Sequence, residues 1–113
     1  MIVLGIDPGT ATTGYGLVKE SPQGAELVTY GAILTPKTAP MGERLIQIYE
    51  QVGDLIREHR PETAAVEKLF FQKNVSTAMT VGQARGVILL ALAQAHIDLG
   101  EYTPNEVKHA VVQ

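Results

Sequence analysis

The 113-residue sequence contains no cysteine and only two phenylalanines, and it has no long apolar run. The lack of cysteine excludes disulfide bonds and thiolate metal sites. Residues 86–95 form the longest strongly apolar run, which is too short to cross a bilayer. The N-terminus, Met1-Ile2-Val3, has none of the basic residues that open a secretory signal. We therefore expect a cytoplasmic protein with no membrane partner.

Acidic residues are absent from residues 68–97, although the net charge of the whole chain is −3. Lys68, Lys73 and Arg85 make this stretch mildly basic, and it begins directly after Glu67. A basic surface suits a polyanion such as nucleic acid, whereas a buried apolar segment would lack acidic residues for a simpler reason. Composition leaves both interpretations open.

Hydrophobic residues make up 45% of the chain and charged residues 19%, which predicts one globular domain over residues 1–113. The order of apolar patterns predicts an α/β fold. In the first predicted helix, Arg44 falls on the polar side, which we expect to face solvent. The predicted elements, in chain order, are strands at 2–6, 13–18 and 27–34, a helix over about 43–57, a strand at 63–66, a long helix from Asn74 to about His96, a strand at 97–102 and a last helix that Pro104 opens.

Two of the predicted strands lead directly into a carboxylate, Asp7 in one case and Glu67 in the other. A strand, a helix and another strand favour a right-handed parallel crossover, which would bring both carboxylates to the edge where open α/β sheets bind ligands. Two facing carboxylates suit a hard divalent cation, Mg²⁺ or Mn²⁺. The alternatives are a turn residue at Asp7 and a solvated strand end at Glu67.

Other candidate residues follow Glu67. Phe70 is a candidate for stacking on unpaired bases, and Lys73, Arg85 and Lys108 are candidates for phosphate contacts; the alternatives are a buried aromatic pair with Phe71 and solvated surface charges. In the long helix, small residues recur every four positions and predict close packing, either on the chain's own sheet or in a helix–helix dimer; these residues are Ala78, Gly82 and Gly86.

Several segments in the same order resemble the RuvC family of bacterial Holliday-junction resolvases. The resemblance spans nearly the whole chain, and its segments are GIDPG at 5–9, TGYG at 13–16, VEKLFF at 66–71, KN at 73–74, GQARGV at 82–87 and EYTPNEVK at 101–108.

The resemblance implies a ribonuclease-H-like fold with a five-stranded mixed sheet flanked by helices. It also implies a homodimer that nicks a four-way DNA junction symmetrically in recombination and repair, with RuvA and RuvB as partners. Asp7 and Glu67 match the first two metal-binding, catalytic carboxylates, Phe70 matches an aromatic that meets junction bases, and Lys108 matches a basic residue near the scissile phosphate. The long helix corresponds to the dimer interface. The intact enzyme would hold up to two Mg²⁺ ions per subunit, with Mn²⁺ as a substitute.

The chain departs from the family pattern at its C-terminal end. The family completes its metal site with further acidic ligands on a C-terminal helix, and no such residues follow Glu106. We therefore interpret residues 1–113 as a single nuclease domain without that helix.

Two other functions stay open on the sequence alone. One is a non-catalytic dimeric module that binds junction DNA. The other is an ATP-binding domain of the actin and hexokinase type, which also opens with a strand, an aspartate and a Gly-Thr turn. Gly9-Thr10 is a weak phosphate-loop signal, because neither the Walker A nor the dinucleotide pattern follows. Such proteins also need a second, similar domain, for which 113 residues leave no room.

The missing acidic ligands generate a first prediction. We expect the 113-residue chain to fold but to cleave a synthetic four-way junction slowly or not at all in Mg²⁺, because two metal ions need more ligands than two carboxylates provide. Gel analysis of end-labelled junction strands measures this, and robust symmetric nicking would contradict it.

Overall fold

A computed structural model of the chain describes residues 1–67 and 75–100, apart from the side chains of residues 75 and 76. Within these ranges, no helix is both long and apolar enough to cross a membrane. The elements in chain order are β1 (Ile2–Asp7), β2 (Thr12–Ser21), β3 (Gly24–Leu34), α1 (Met41–His59), β4 (Thr63–Val66), α2 (Val75–Gln94) and β5 (Asp98–Leu99).

The strands form one five-stranded mixed sheet in the order β3-β2-β1-β4-β5. The first three strands pair antiparallel, whereas β1 with β4 and β4 with β5 are parallel. Helix α1 therefore connects two neighbouring parallel strands, as the strand–helix–strand pattern predicts. The expectation of a five-stranded mixed sheet with flanking helices is confirmed.

Strands β2 and β3 extend beyond their predicted limits and meet at a tight turn that Gly24 completes with a φ of 124°. The added residues are polar, such as Lys19 and Glu26, and they pair with each other. Apolar alternation fades where a ribbon is exposed on both faces, so periodicity alone ends such strands too early.

The main cluster of buried apolar side chains lies on one face of the sheet. Leu4 and Ile6 of β1 and Leu17 of β2 are fully buried there, together with Ile48 of α1 and Ile88 of α2. Complete burial of a side chain of this size stabilises the fold by about 1.5–3 kcal/mol. Both described helices thus pack on the same face, and their apolar contacts hold β1 and β4 next to each other.

Helix α1 begins after Pro40 and ends at His59, and the next residue, Arg60, caps it in the left-handed conformation with a φ of 49°. The Arg60 N–H donates to the Ile56 carbonyl at 2.8 Å, which closes the last turn before Pro61. The prediction that Arg44 faces solvent is wrong: this side chain is buried in the first turn of α1.

Helix α2 has one buried side and one exposed side. Ala84, Ile88 and Leu92 are buried, whereas Met79 and Leu90 are 62% and 52% exposed. The second half of α2 is apolar nearly all round, which predicts burial on more than one side, and the 52% exposure of Leu90 shows one side that is open within the single chain. Helix α2 ends at Gln94, and β5 is shorter than predicted. The predicted Asn74 cap and the last helix lie outside the described residues.

Candidate active site at the ends of two parallel strands

Asp7 and Glu67 lie next to each other at the carboxyl edge of the sheet. The parallel register pairs Ile6 with Val66, and the Glu67 N–H donates to the Ile6 carbonyl at 3.0 Å. Adjacent strands lie about 4.8 Å apart, so the two carboxylates start from neighbouring backbone positions. Asp7 is exposed and Glu67 is half-buried. The structure thus brings together the two carboxylates that the sequence singles out.

Three glycines accompany Asp7 on the face of the sheet opposite the core. Asp7 pairs with Gly14, and Gly5 pairs with Gly16 one step further along the same two strands. Side chains alternate between faces, and the neighbour Ile6 is part of the core. On β1 and β2 the face around Asp7 therefore carries glycines, which permits close packing of other groups against it; Gly5 and Gly16 are buried there.

The loop after Asp7 is closed by a buried threonine. The Gly9 N–H donates to Thr13 Oγ1 at 3.3 Å, and the same hydroxyl donates to the Gly9 carbonyl at 2.5 Å. Thr13 is fully buried. A β-carbon at Gly9 would collide with the backbone carbonyl of Thr12. Only glycine therefore fits this turn without a shift of the backbone.

A second set of hydrogen bonds ties the same loop to the end of β3. Thr35 Oγ1 donates to the Thr10 carbonyl, and the Thr35 N–H donates to the Ala11 carbonyl at 3.1 Å. The Arg44 Nε–H donates to Thr35 Oγ1 at 3.0 Å. Sequence reasoning misses both residues: a threonine after a strand and an arginine in a helix carry no local signal of such a role.

Arg85 of α2 contacts the backbone at Glu67, the second of the two candidate carboxylates. Its Nε–H donates to the Glu67 carbonyl at 3.3 Å. The sequence predicts a phosphate contact for Arg85, and the structure places the side chain at Glu67, beside the candidate site. The hydrogen bond to the carbonyl links α2 to the point where β4 ends.

The described part of the chain contains a pair of acidic residues at this edge but no larger ligand cluster. Across residues 1–67 and 75–100, no three His, Cys, Asp or Glu side chains lie close enough together to hold a metal ion. Carboxylate oxygens are nevertheless the donors that Mg²⁺ and Mn²⁺ prefer. Asp7 and Glu67 therefore fit part of the coordination shell of a hard divalent cation.

Comparison with known proteins identifies the family. The sequence profile described as "Crossover junction endodeoxyribonuclease RuvC" matches residues 3–113. The chain belongs to the RuvC family. RuvC of Chloroflexus aggregans is 57% identical over 98% of this chain and 68% of its own length. RuvC of Syntrophomonas wolfei is 51% identical over 99% of this chain and 65% of its own length.

A solved RuvC structure has the same architecture. Thermus thermophilus RuvC in complex with a Holliday junction substrate superposes with a TM-score of 0.86 at 34% identity, over 96% of this chain and 70% of that chain. The ribonuclease-H-like fold class is thereby confirmed, and RuvC membership favours the endonuclease over the ATP-binding alternative.

The remaining predicted site residues divide into two groups. Phe70, Lys73 and Lys108 lie outside the described residues, so their predicted roles in RuvC stay predictions. On α2, Ala78 and Gly82 are half-buried and Gly86 is exposed. A β-carbon at Gly86 would meet no atom within 4 Å. The predicted dimer contact at these three residues also stays a prediction.

The closed loop generates a second prediction. Gly9→Ala should destabilise the protein by about 1–3 kcal/mol, because the new methyl group displaces the Thr12 carbonyl and strains the turn after Asp7. Chemical denaturation measures the change in the free energy of unfolding.

Gly42→Ala is the matched control. Gly42 lies in the first turn of α1, and a β-carbon there meets no atom within 4 Å. This change should stabilise the protein by about 0.4–1 kcal/mol, since alanine restricts the unfolded chain. Equal effects of the two substitutions would show that the Gly9 turn tolerates a side chain.

Proposed function

We propose that this chain carries the catalytic core of an endonuclease that resolves four-way DNA junctions by metal-dependent phosphodiester hydrolysis. The observation that carries the proposal is the register of β1 and β4, with Asp7 and Glu67 at adjacent strand ends. Membership of the RuvC family supports it. The Thermus relative at 34% identity has been solved with a Holliday junction substrate, which supports the same substrate class here.

Asp7 and Glu67 are the proposed metal-binding and catalytic residues. RuvC enzymes are metal-dependent nucleases, and the paired carboxylates have the donor chemistry that Mg²⁺ prefers. We propose Mg²⁺, with Mn²⁺ as a substitute and up to two ions per subunit in the intact enzyme. Bound metal would activate the attacking water and stabilise the departing oxygen. Asp7 and Glu67 would supply the negative charge that holds the cation against the junction phosphate.

Basic and aromatic residues near the carboxylates are the proposed DNA contacts. Arg85 is anchored through its Nε–H to the main-chain carbonyl of Glu67 at the end of β4, and its guanidinium is proposed to contact an incoming phosphate. Lys73 and Lys108 are proposed to contact further phosphates, and Phe70 to stack on a junction base. A cytoplasmic location and cooperation with RuvA and RuvB belong to the same proposal.

The exposed side of α2 is the proposed homodimer contact. Gly86 lies on this side between Met79 and Leu90, two exposed apolar side chains that follow one stripe of the helix. The half-buried residues Ala78 and Gly82 flank it and permit close approach of a second helix. A four-way junction has two equivalent strands to cut, so a two-fold symmetric dimer matches the substrate.

The metal proposal makes a third prediction. Asp7→Asn in the intact enzyme should lower the rate of junction cleavage by more than about 100-fold, beyond the loss typical of residues that only support a metal ligand. Binding to the junction in EDTA, measured by gel shift, should stay within about twofold, because the amide keeps the shape of the side chain.

Asp98→Asn is the matched control for this experiment. Asp98 is an exposed strand aspartate that pairs with Thr63, at the opposite end of β4 from Glu67. The control should cleave at the parent rate. Undiminished cleavage by Asp7→Asn would refute the metal role.

The dimer proposal makes a fourth prediction. Leu90→Asp should weaken self-association at least about tenfold, or about 1.4 kcal/mol, because it places a charge within an apolar contact. Sedimentation velocity over a concentration series measures the monomer–dimer equilibrium. Ile46→Asp on α1 is the control, since Ile46 is similarly exposed, at 57% against 52% for Leu90. Equal association by both variants would place the interface elsewhere.

A further inference from the structure

Arg44 is a buried cation whose contacts point to the loop after Asp7. The side chain is only 9% exposed. No carboxylate among the described residues forms a salt bridge with it, and its side-chain hydrogen bond goes to the neutral hydroxyl of Thr35. Burial of a charge is costly unless it is well bonded. Packing alone therefore does not explain why a buried guanidinium donates its hydrogen bond to a neutral hydroxyl.

The hydroxyl of Thr35 acts as a relay between Arg44 and the loop. A threonine hydroxyl has one hydrogen to donate and two lone pairs to accept with. Because the guanidinium can only donate, the bond from Arg44 occupies a lone pair and leaves the hydroxyl hydrogen for the Thr10 carbonyl. A charged donor also polarises the hydroxyl and strengthens the second bond. The direction of the relay is thus set by Arg44.

The relay holds the loop at its centre. Thr10 and Ala11 are both bonded by Thr35, through its side chain and its N–H respectively. The loop begins directly after Asp7, and Thr13 closes its other end through Gly9. Thr35, directly after β3, and Arg44 of α1 therefore restrain the segment that directly follows the candidate metal ligand.

We infer that Arg44 and Thr35 are positioning residues that fix the loop after Asp7 and so hold the Asp7 carboxylate ready for the divalent cation. The inference rests on the proposed metal-binding function of Asp7. If Arg44 served stability alone, a positively charged side chain would not be needed at this position, because an apolar side chain of similar volume packs as well when buried. Residues that support a metal ligand typically contribute about 10–100-fold to metal affinity or activity.

The test compares Thr35→Val and Arg44→Met with two controls in the intact enzyme. Thr63→Val removes another threonine-to-carbonyl hydrogen bond, which goes to Asp98 at the far end of the sheet. Arg57→Met removes another arginine of α1, an exposed one that pairs with Asp54. Measurements are the Kd for Mn²⁺ by electron paramagnetic resonance, kcat and KM for junction cleavage, and Tm.

We expect Thr35→Val and Arg44→Met each to weaken Mn²⁺ binding and lower kcat by about 10–100-fold, with KM for the junction within about twofold of the parent. The double variant should lose no more than either single one, because the two residues act through one relay. Thr35→Ser, which keeps the hydroxyl, should stay within about threefold of the parent. Both controls should keep the parent Kd and kcat even where Tm falls.

The outcomes distinguish a failure of the proposed relay from a failure of the proposed metal site. Loss of Mn²⁺ binding by Asp7→Asn with parent-like binding by Thr35→Val and Arg44→Met would overturn the relay and leave the metal site in place. Parent-like Mn²⁺ binding by Asp7→Asn would overturn the metal site itself. If Thr35→Val does not fold at the assay temperature, Arg44→Met decides the question, since it keeps Thr35 and removes only the charged donor that orients and polarises its hydroxyl toward the Thr10 carbonyl. A fall in Tm with unchanged Mn²⁺ affinity would assign the relay to stability alone.

Discussion

The parallel pairing of β1 with β4 is the constraint on which the candidate site depends. Ile6 and Val66 are buried on the core face and stand in register, so the residues that follow them emerge together at the sheet edge. A slip of one residue would turn one of these side chains out of the core. The apolar contacts of α1 and α2 on that face oppose such a slip. The hydrophobic core therefore holds two like charges as neighbours.

Hydrogen bonds from distant parts of the chain reinforce both strand ends. Thr35 and Arg44 hold the loop after Asp7, and Arg85 holds the carbonyl of Glu67. Repulsion between two carboxylates would tend to separate flexible strand ends in the absence of a cation. Anchors on each side reduce that freedom in the chain without metal, which would lower the ordering cost of the metal binding that we propose.

Helix α2 connects the candidate site to the surface that we assign to self-association. Ala84 and Ile88 attach the helix to the core, and Arg85 between them reaches Glu67. The opposite side carries Gly86 and the exposed Leu90. One helix thus links the end of β4, where Glu67 lies, to the proposed dimer surface. In a symmetric dimer, the same link would set the separation of two cleavage sites.

The sequence by itself determined the order of strands and helices, the two carboxylates and the family, because periodicity, strand-ending acids and short motifs are local properties. It placed Arg44 on the solvent side and predicted α2 to be buried on more than one side, whereas Arg44 is buried and α2 exposes Leu90, because exposure depends on which elements pack together. The link from Thr35 to Thr10 spans 25 residues, and that from Arg85 to Glu67 spans 18. Neither follows from local pattern; only the packing of β3, α1 and α2 around β1 and β4 brings these groups within hydrogen-bond distance.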